Sequence, residues 1–174
     1  SLDLMFERVE GNLLAAHQEI RKLGLLYPEG RLSAEQIQDA VLNVARYDVF
    51  KLSEAMLAGD VARLVRMLEG LKGGGEALPL VLWAVSEEIR ILLKLKLGTN
   101  DGRPLAMLMK EYRIWGPRER LIGPALSRLK LSTLRDALSK AAQVDRMIKG
   151  LRAKDFAGDA WDALLQLALV VARK

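Results

Sequence analysis

The 174-residue chain has no cysteine and a single histidine, His17. Without thiols there are no disulfides and no thiolate metal sites, a composition that fits a reducing compartment such as the cytoplasm. One imidazole cannot build a histidine ligand cluster, so no metal and no cofactor is expected. His17 falls within a helical pattern, where packing or solvent accounts for it better than catalysis. No run of 18 or more apolar residues exists, so no membrane-spanning segment is expected. The chain does not open on a basic region followed by an apolar stretch and a cleavage site, so no secretory signal is expected either. No stretch alternates apolar and polar residues in the manner of a strand.

The usual signatures of catalysis are missing as well. There is no Ser/His/Asp grouping, no Walker lysine and no dinucleotide fingerprint. Gly73-Gly74-Gly75 is not a phosphate loop, because no strand precedes it and no Gly-Lys-Ser/Thr follows. Glu87 and Glu88 are adjacent, and neighbours on a helix point about 100° apart, so they do not face one substrate. They are expected on a solvated helix face. The sequence therefore describes a non-enzyme with no catalytic residue.

What the chain does have is apolar surface and an uneven charge. Hydrophobic residues make up 51%, enough for a sizeable core, and the formal net charge is +5. Residues 1–102 carry 12 basic and 15 acidic side chains, whereas residues 103–154 carry 13 basic and 4 acidic. Positive charge gathered into one stretch is the footprint of a surface that meets an anion, nucleic acid first. A basic face that is merely solvated is the plainer alternative.

Apolar residues recur at helical spacing almost throughout, which predicts an all-α, multi-helix bundle of about ten helices. Residues 2–9 read as the end of a helix that starts earlier, which suggests a piece of a longer protein. A second helix is expected over residues 13–26, closed by Tyr27-Pro28-Glu29-Gly30. A third begins at Ser33, with Gln36 completing a capping box. Further helices are expected over residues 49–57, ended by Gly59, and from Asp60 as cap to about Leu71. A long helix with Pro79 in its first turn runs to Leu97, and residues 98–104 form a loop. Shorter helices cover residues 105–112 and 118–129, the second interrupted at Gly123-Pro124. Ser132 caps a helix to about Leu151, and Gly158 precedes a last helix over residues 160–172. Broad apolar stripes, such as Leu78, Val81, Leu82, Val85, Ile89 and Leu92, or Leu164, Leu167, Ala168 and Val171, are expected to leave surface for neighbouring chains.

Two segments carry a family likeness. One runs Val9-Glu10-Gly11-Asn12-Leu13-Leu14-Ala15-Ala16 and on through Gln18-Glu19-Ile20 and Leu23 to Leu26-Tyr27-Pro28. The other is Ala45-Arg46-Tyr47-Asp48-Val49-Phe50, followed by Ala55-Met56-Leu57-Ala58-Gly59-Asp60. With Arg66-Met67-Leu68 and Leu82-Trp83-Ala84, the chain resembles the C-terminal two-thirds of delta subunits of bacterial DNA polymerase III clamp loaders. The resemblance implies a partial AAA+ helical lid over residues 1–46 and a helical collar domain over residues 47–174. It also implies assembly with the other clamp-loader subunits through the collar. Contact with the sliding clamp would belong to an N-terminal domain that precedes these residues. In ATP-binding relatives the lid carries Gly-Ser-x-Arg-x-Ala, whose arginine reaches the phosphates. Leu14 stands at the arginine position here, and an apolar side chain cannot stabilise phosphate charge. Neither binding nor hydrolysis of ATP is expected.

The residues themselves point to a contact with a nucleic-acid strand, which the resemblance implies is primer–template DNA. In Arg113-Ile114-Trp115-Gly116-Pro117-Arg118-Glu119-Arg120, Gly116 and Pro117 break the helix and leave Trp115 at a junction between cations. An aromatic face flanked by arginines suits a single strand, where stacking contributes roughly 1–3 kcal/mol per base whatever the sequence. Arg135, Arg146 and Lys149 fall on one side of their helix and extend the basic surface. Phe156 is a second loop aromatic, at a place where the family often shows tyrosine. The competing expectation is that Trp115 and Phe156 fill gaps between helices. A stand-alone helical nucleic-acid-binding or regulatory module is the alternative to clamp-loader assembly.

Overall fold

A computed structural model describes residues 49, 51–152, 156 and 158–173. Among the described residues there are seven helices and no strand, as the periodicity predicts. The helices expected over residues 2–9, 13–26 and from 33, together with Leu14 and His17, lie outside the described residues.

Helix α1, residues 51–58, buries Leu52, Ala55 and Met56 at the i, i+3, i+4 spacing of a helix face. It stops because Gly59 turns to φ +70°. The Asp60 N–H then reaches Ala55 O at 3.1 Å and the Gly59 N–H reaches Met56 O at 3.1 Å, a Schellman closure. Asp60 at once starts α2, Val61–Gly73, accepting a hydrogen bond from Arg63 N at 3.0 Å. Leu64, Leu68 and Leu71 form its buried face.

The central element is α3, Leu78–Asn100, opened by a proline in its first turn. At 23 residues it is about 34 Å long. Val81, Val85, Leu92 and Leu95 are buried along it. After α4, Leu105–Glu111, and α5, Pro117–Arg128, the chain lays α6, Leu131–Ile148, against α3. Ala137 and Ala141 are buried on α6, and small side chains there let two helices approach closely. Helix α7, Ala160–Ala172, packs on α6, α3 and α2. Asp159 and Asp162 cap it reciprocally: Asp159 Oδ1 accepts from Asp162 N at 2.9 Å and Asp162 Oδ2 from Asp159 N at 3.3 Å.

Four expectations about where helices start, stop or break need correction. The helix expected to end at Leu97 continues to Asn100, because Gly98 is a packing residue rather than a breaker. Helix α5 is not interrupted at Gly123-Pro124. Proline disfavours a helical predecessor through that residue's N–H and Cβ, and glycine lacks the Cβ part of the clash. Ser132 is not a cap: α6 starts at Leu131 with Lys130 before it, and no side chain closes that end. The same helix stops at Ile148, three residues short of Leu151, where Gly150 takes φ +76°.

The apolar stripes are consumed inside the chain. Val81, Leu82, Val85, Ile89, Leu92, Leu164, Leu167, Ala168 and Val171 are all core, and Leu78 is half-buried. The large apolar side chains left outside include Trp83, Met107, Trp115 and Leu151.

Candidate nucleic-acid interface

The junction between α4 and α5 is built to turn one side chain outward. Helix α4 closes with Arg113 N–H on Lys110 O at 3.2 Å and Ile114 N–H on Met109 O at 2.9 Å. That closure places Arg113 at φ +53°, the only described residue other than glycine with positive φ. Left-handed backbone costs an L-residue roughly 1–2 kcal/mol, and glycine is the usual occupant. Ile114 then enters the core at 2% exposure, and Trp115 faces out at 62%. Gly116, at φ +66°, donates its N–H to Glu119 Oε1 at 3.2 Å, and Pro117 begins α5.

The arginines around the indole divide into two kinds. Arg113 and Arg120 are exposed. Arg118 turns inward: its Nη2 donates to Glu88 Oε1 at 3.0 Å and Oε2 at 2.8 Å, and its side chain is 25% exposed. Glu88 lies in the middle of α3 at 3% exposure and does not sit on a solvated face. Ser53 of α1 hydrogen-bonds to the same carboxyl. Burial pushes the Glu88 carboxyl up from its ordinary range, while Arg118 and Ser53 draw it back by less. Glu87, its neighbour, is half-buried and pairs with Arg90 at 2.6 Å.

Arg135 and Arg146 are exposed on α6. Lys149, at the C-terminal cap of α6, is exposed and pairs with Asp145 at 2.6 Å. These three lie on a different helix from the Trp115 junction. Phe156 is half-buried and packs against the core cluster. Its place suits the gap-filling expectation better than that of Trp115, which is largely open to solvent.

Two functional-looking groups were missed in the sequence. Glu88 carried a legible signal, since it interrupts the apolar stripe Val81, Val85, Leu92, Leu95 at its i+7 position. Arg128 carried none. Its Nη2 donates to Met56 O at 3.0 Å, Leu57 O at 2.8 Å and Val171 O at 3.2 Å, joining the last turns of α1 and α7. No group of three or more potential metal ligands occurs among the described residues, and none of their helices is long and apolar enough to cross a membrane.

Among the described residues the chain is an all-helical module with an outward indole at the junction of α4 and α5. The particular family follows from comparison: residues 49–174 match the model described as processivity clamp loader gamma complex DNA pol III C-term, and the chain belongs to that family. It is 30% identical over 165 residues to DNA polymerase III subunit delta of Escherichia coli (strain K12), covering 95% of this chain and 47% of that protein. It is 27% identical over 170 residues to DNA polymerase III subunit delta of Haemophilus influenzae (strain ATCC 51907 / DSM 11121 / KW20 / Rd), covering 93% of this chain and 48% of that protein. The chain thus spans about half the length of the curated relatives it matches.

Proposed function

We propose that this chain is the lid-and-collar part of a clamp-loader delta subunit, acting in DNA replication in the cytoplasm. Residues 1–46 are assigned to the partial lid and residues 47–174 to the collar. The collar joins the other clamp-loader subunits and contributes no active site of its own. Contact with the sliding clamp is assigned to a part of the delta subunit outside this chain. The observation that carries this reading is the family match over 49–174, which takes in every described helix.

A second role is supported by the α4–α5 junction. Trp115 stands in solvent beside Arg113, which occupies a backbone position where glycine would be cheaper. Arg113 and Arg120 are placed to meet phosphates and Trp115 to stack on a base of the template strand. Arg135, Arg146 and Lys149 extend the basic surface along α6. Arg118 leaves the set of phosphate contacts, because Glu88 already neutralises it. Phe156 keeps a lesser claim than Trp115.

The test is reconstitution. The chain, and a shorter chain starting at residue 47, are mixed with the other clamp-loader subunits and resolved by size. Co-migration is the expected result. A chain that folds yet never joins the partners overturns the collar assignment. Tight, salt-dependent DNA binding by such an unassembled chain favours the alternative, a stand-alone nucleic-acid-binding module.

A further inference from the structure

We infer that Glu88 is a positioning residue for the indole of Trp115; this rests on the DNA-contact reading above. The indole is suspended between two anchors. One residue before it, Ile114 is sunk in the core. Three residues after it, Arg118 reaches across 30 positions of sequence to Glu88. The Glu88 carboxylate is itself fixed, buried on α3 with Ser53 of α1 against it. The first turn of α5 is thereby tied to both α1 and α3. The loop cannot swing without drawing Ile114 from the core or Arg118 from its partner.

Stability alone does not account for a carboxylate in this apolar stripe. A well-packed hydrophobic pair in place of a buried ion pair is often as stable or more so. What the pair supplies is a fixed position. A side chain already held in its binding arrangement loses less freedom when a base stacks on it. Charged groups spread around Trp115 set the salt-dependent part of DNA binding, whereas Glu88, turned inward, affects only how the indole is presented.

The experiment uses the full chain with Trp83→Phe and Trp161→Phe, so that Trp115 is the sole tryptophan. Binding to a dye-labelled oligothymidylate is measured over a range of salt concentrations, and Trp115 fluorescence anisotropy is read in the free protein. Glu88→Gln is expected to lower Trp115 anisotropy and weaken binding roughly 3- to 10-fold, as expected for one side chain that must now be immobilised. The salt slope is compared in the double change Glu88→Met with Arg118→Met, which frees no further cation, and stays unchanged there because Arg113 and Arg120 remain. In a Trp115→Ala background Glu88→Gln has no further effect on binding. An equal loss in both backgrounds overturns the inference, as does unchanged anisotropy. If Trp115→Ala leaves DNA binding intact, the DNA-contact reading fails, and anisotropy alone decides the positioning role. Should Glu88→Gln not fold, the double change Glu88→Met with Arg118→Met takes its place under the same readouts.

Discussion

Gly98 lies so close to Leu108 that a Cβ on the glycine would stand 2.7 Å from Leu108 Cδ1 and 2.9 Å from Cδ2. Leu108 is fully buried, so its methyls have little room to yield. This contact is how α4 seats on α3. Gly98→Val is expected to destabilise the chain by about 1–3 kcal/mol, the usual cost of overpacking. Gly70 in α2 has open space where a Cβ would go. Gly70→Ala should therefore gain up to about 1 kcal/mol from helix propensity. Urea denaturation of the two variants measures both, and their signs should be opposite.

Arg128 is expected to matter more for stability than any exposed arginine. Its guanidinium donates to the carbonyls of Met56, Leu57 and Val171 at two helix ends, where few backbone donors remain and Met56 O has only the Gly59 N–H besides. Burial also lowers its pKa from the ordinary arginine range, which marks how far the group has left water. Arg128→Ala should cost about 1.5–3 kcal/mol, the range for hydrogen bonds to a charged group. Arg128→Lys should recover only part of this, since an ammonium is more strongly hydrated than a guanidinium and costs more to take out of water at this partly buried place. Thermal melts of the three proteins at one pH test the order.

The elements that were legible in sequence are those whose signals are local. Asp60 caps α2 and Gly158 precedes α7, because caps act within one turn. The failures share a cause. Gly98 reads as a breaker only while Leu108 is out of sight, and Ser132 reads as a cap only while the turn before it is unknown. At the candidate site, the exposed junction at Trp115 was legible because Gly116-Pro117 falls between two helical patterns, where the proline opens the second helix. The difference between Arg118 and Arg120 was not, since Glu88 is remote in sequence. Whether a cation is free for phosphate depends on the partners that the fold brings to it.

The stability of the chain should carry the pH signature of Glu88. Its carboxyl is raised in the folded state above the ordinary 4.5, so the folded chain holds that proton more tightly than the unfolded chain. The favourable contribution is complete below 4.5 and is lost as pH rises through the folded value. Asp159 runs the other way. Its pKa is lowered below 3.8 by the Asp162 N–H and by Lys72, so its contribution is present above 3.8 and lost in more acid solution. Relative to the parent chain, Glu88→Gln should gain stability as pH rises from 4.5, because it lacks the group that loses its proton. Melting temperatures of both proteins from about pH 4 to 8 measure this. A constant difference across that range would show that Glu88 does not titrate there.

Arg113 offers the sharpest separation of function from fold. It closes α4 at φ +53°, a conformation that glycine adopts without cost. Arg113→Gly removes the left-handed penalty of roughly 1–2 kcal/mol, against which the greater freedom of unfolded glycine costs roughly 0.5–1 kcal/mol. Stability should therefore hold or rise by up to about 1.5 kcal/mol. The same change removes a cation beside Trp115. Affinity for single-stranded DNA should fall, and the slope of log K against log salt should shrink by about 0.7, the value for one phosphate contact on a single strand. Arg118→Ala should do the reverse, lowering stability through the unpaired Glu88 while leaving the salt slope alone. If Arg113→Gly instead unfolds the chain, the arginine holds the turn through contacts of its own. A stable Arg113→Gly variant with unaltered DNA affinity would remove Arg113 from the phosphate-binding set and leave Arg120 to carry that end of the interface.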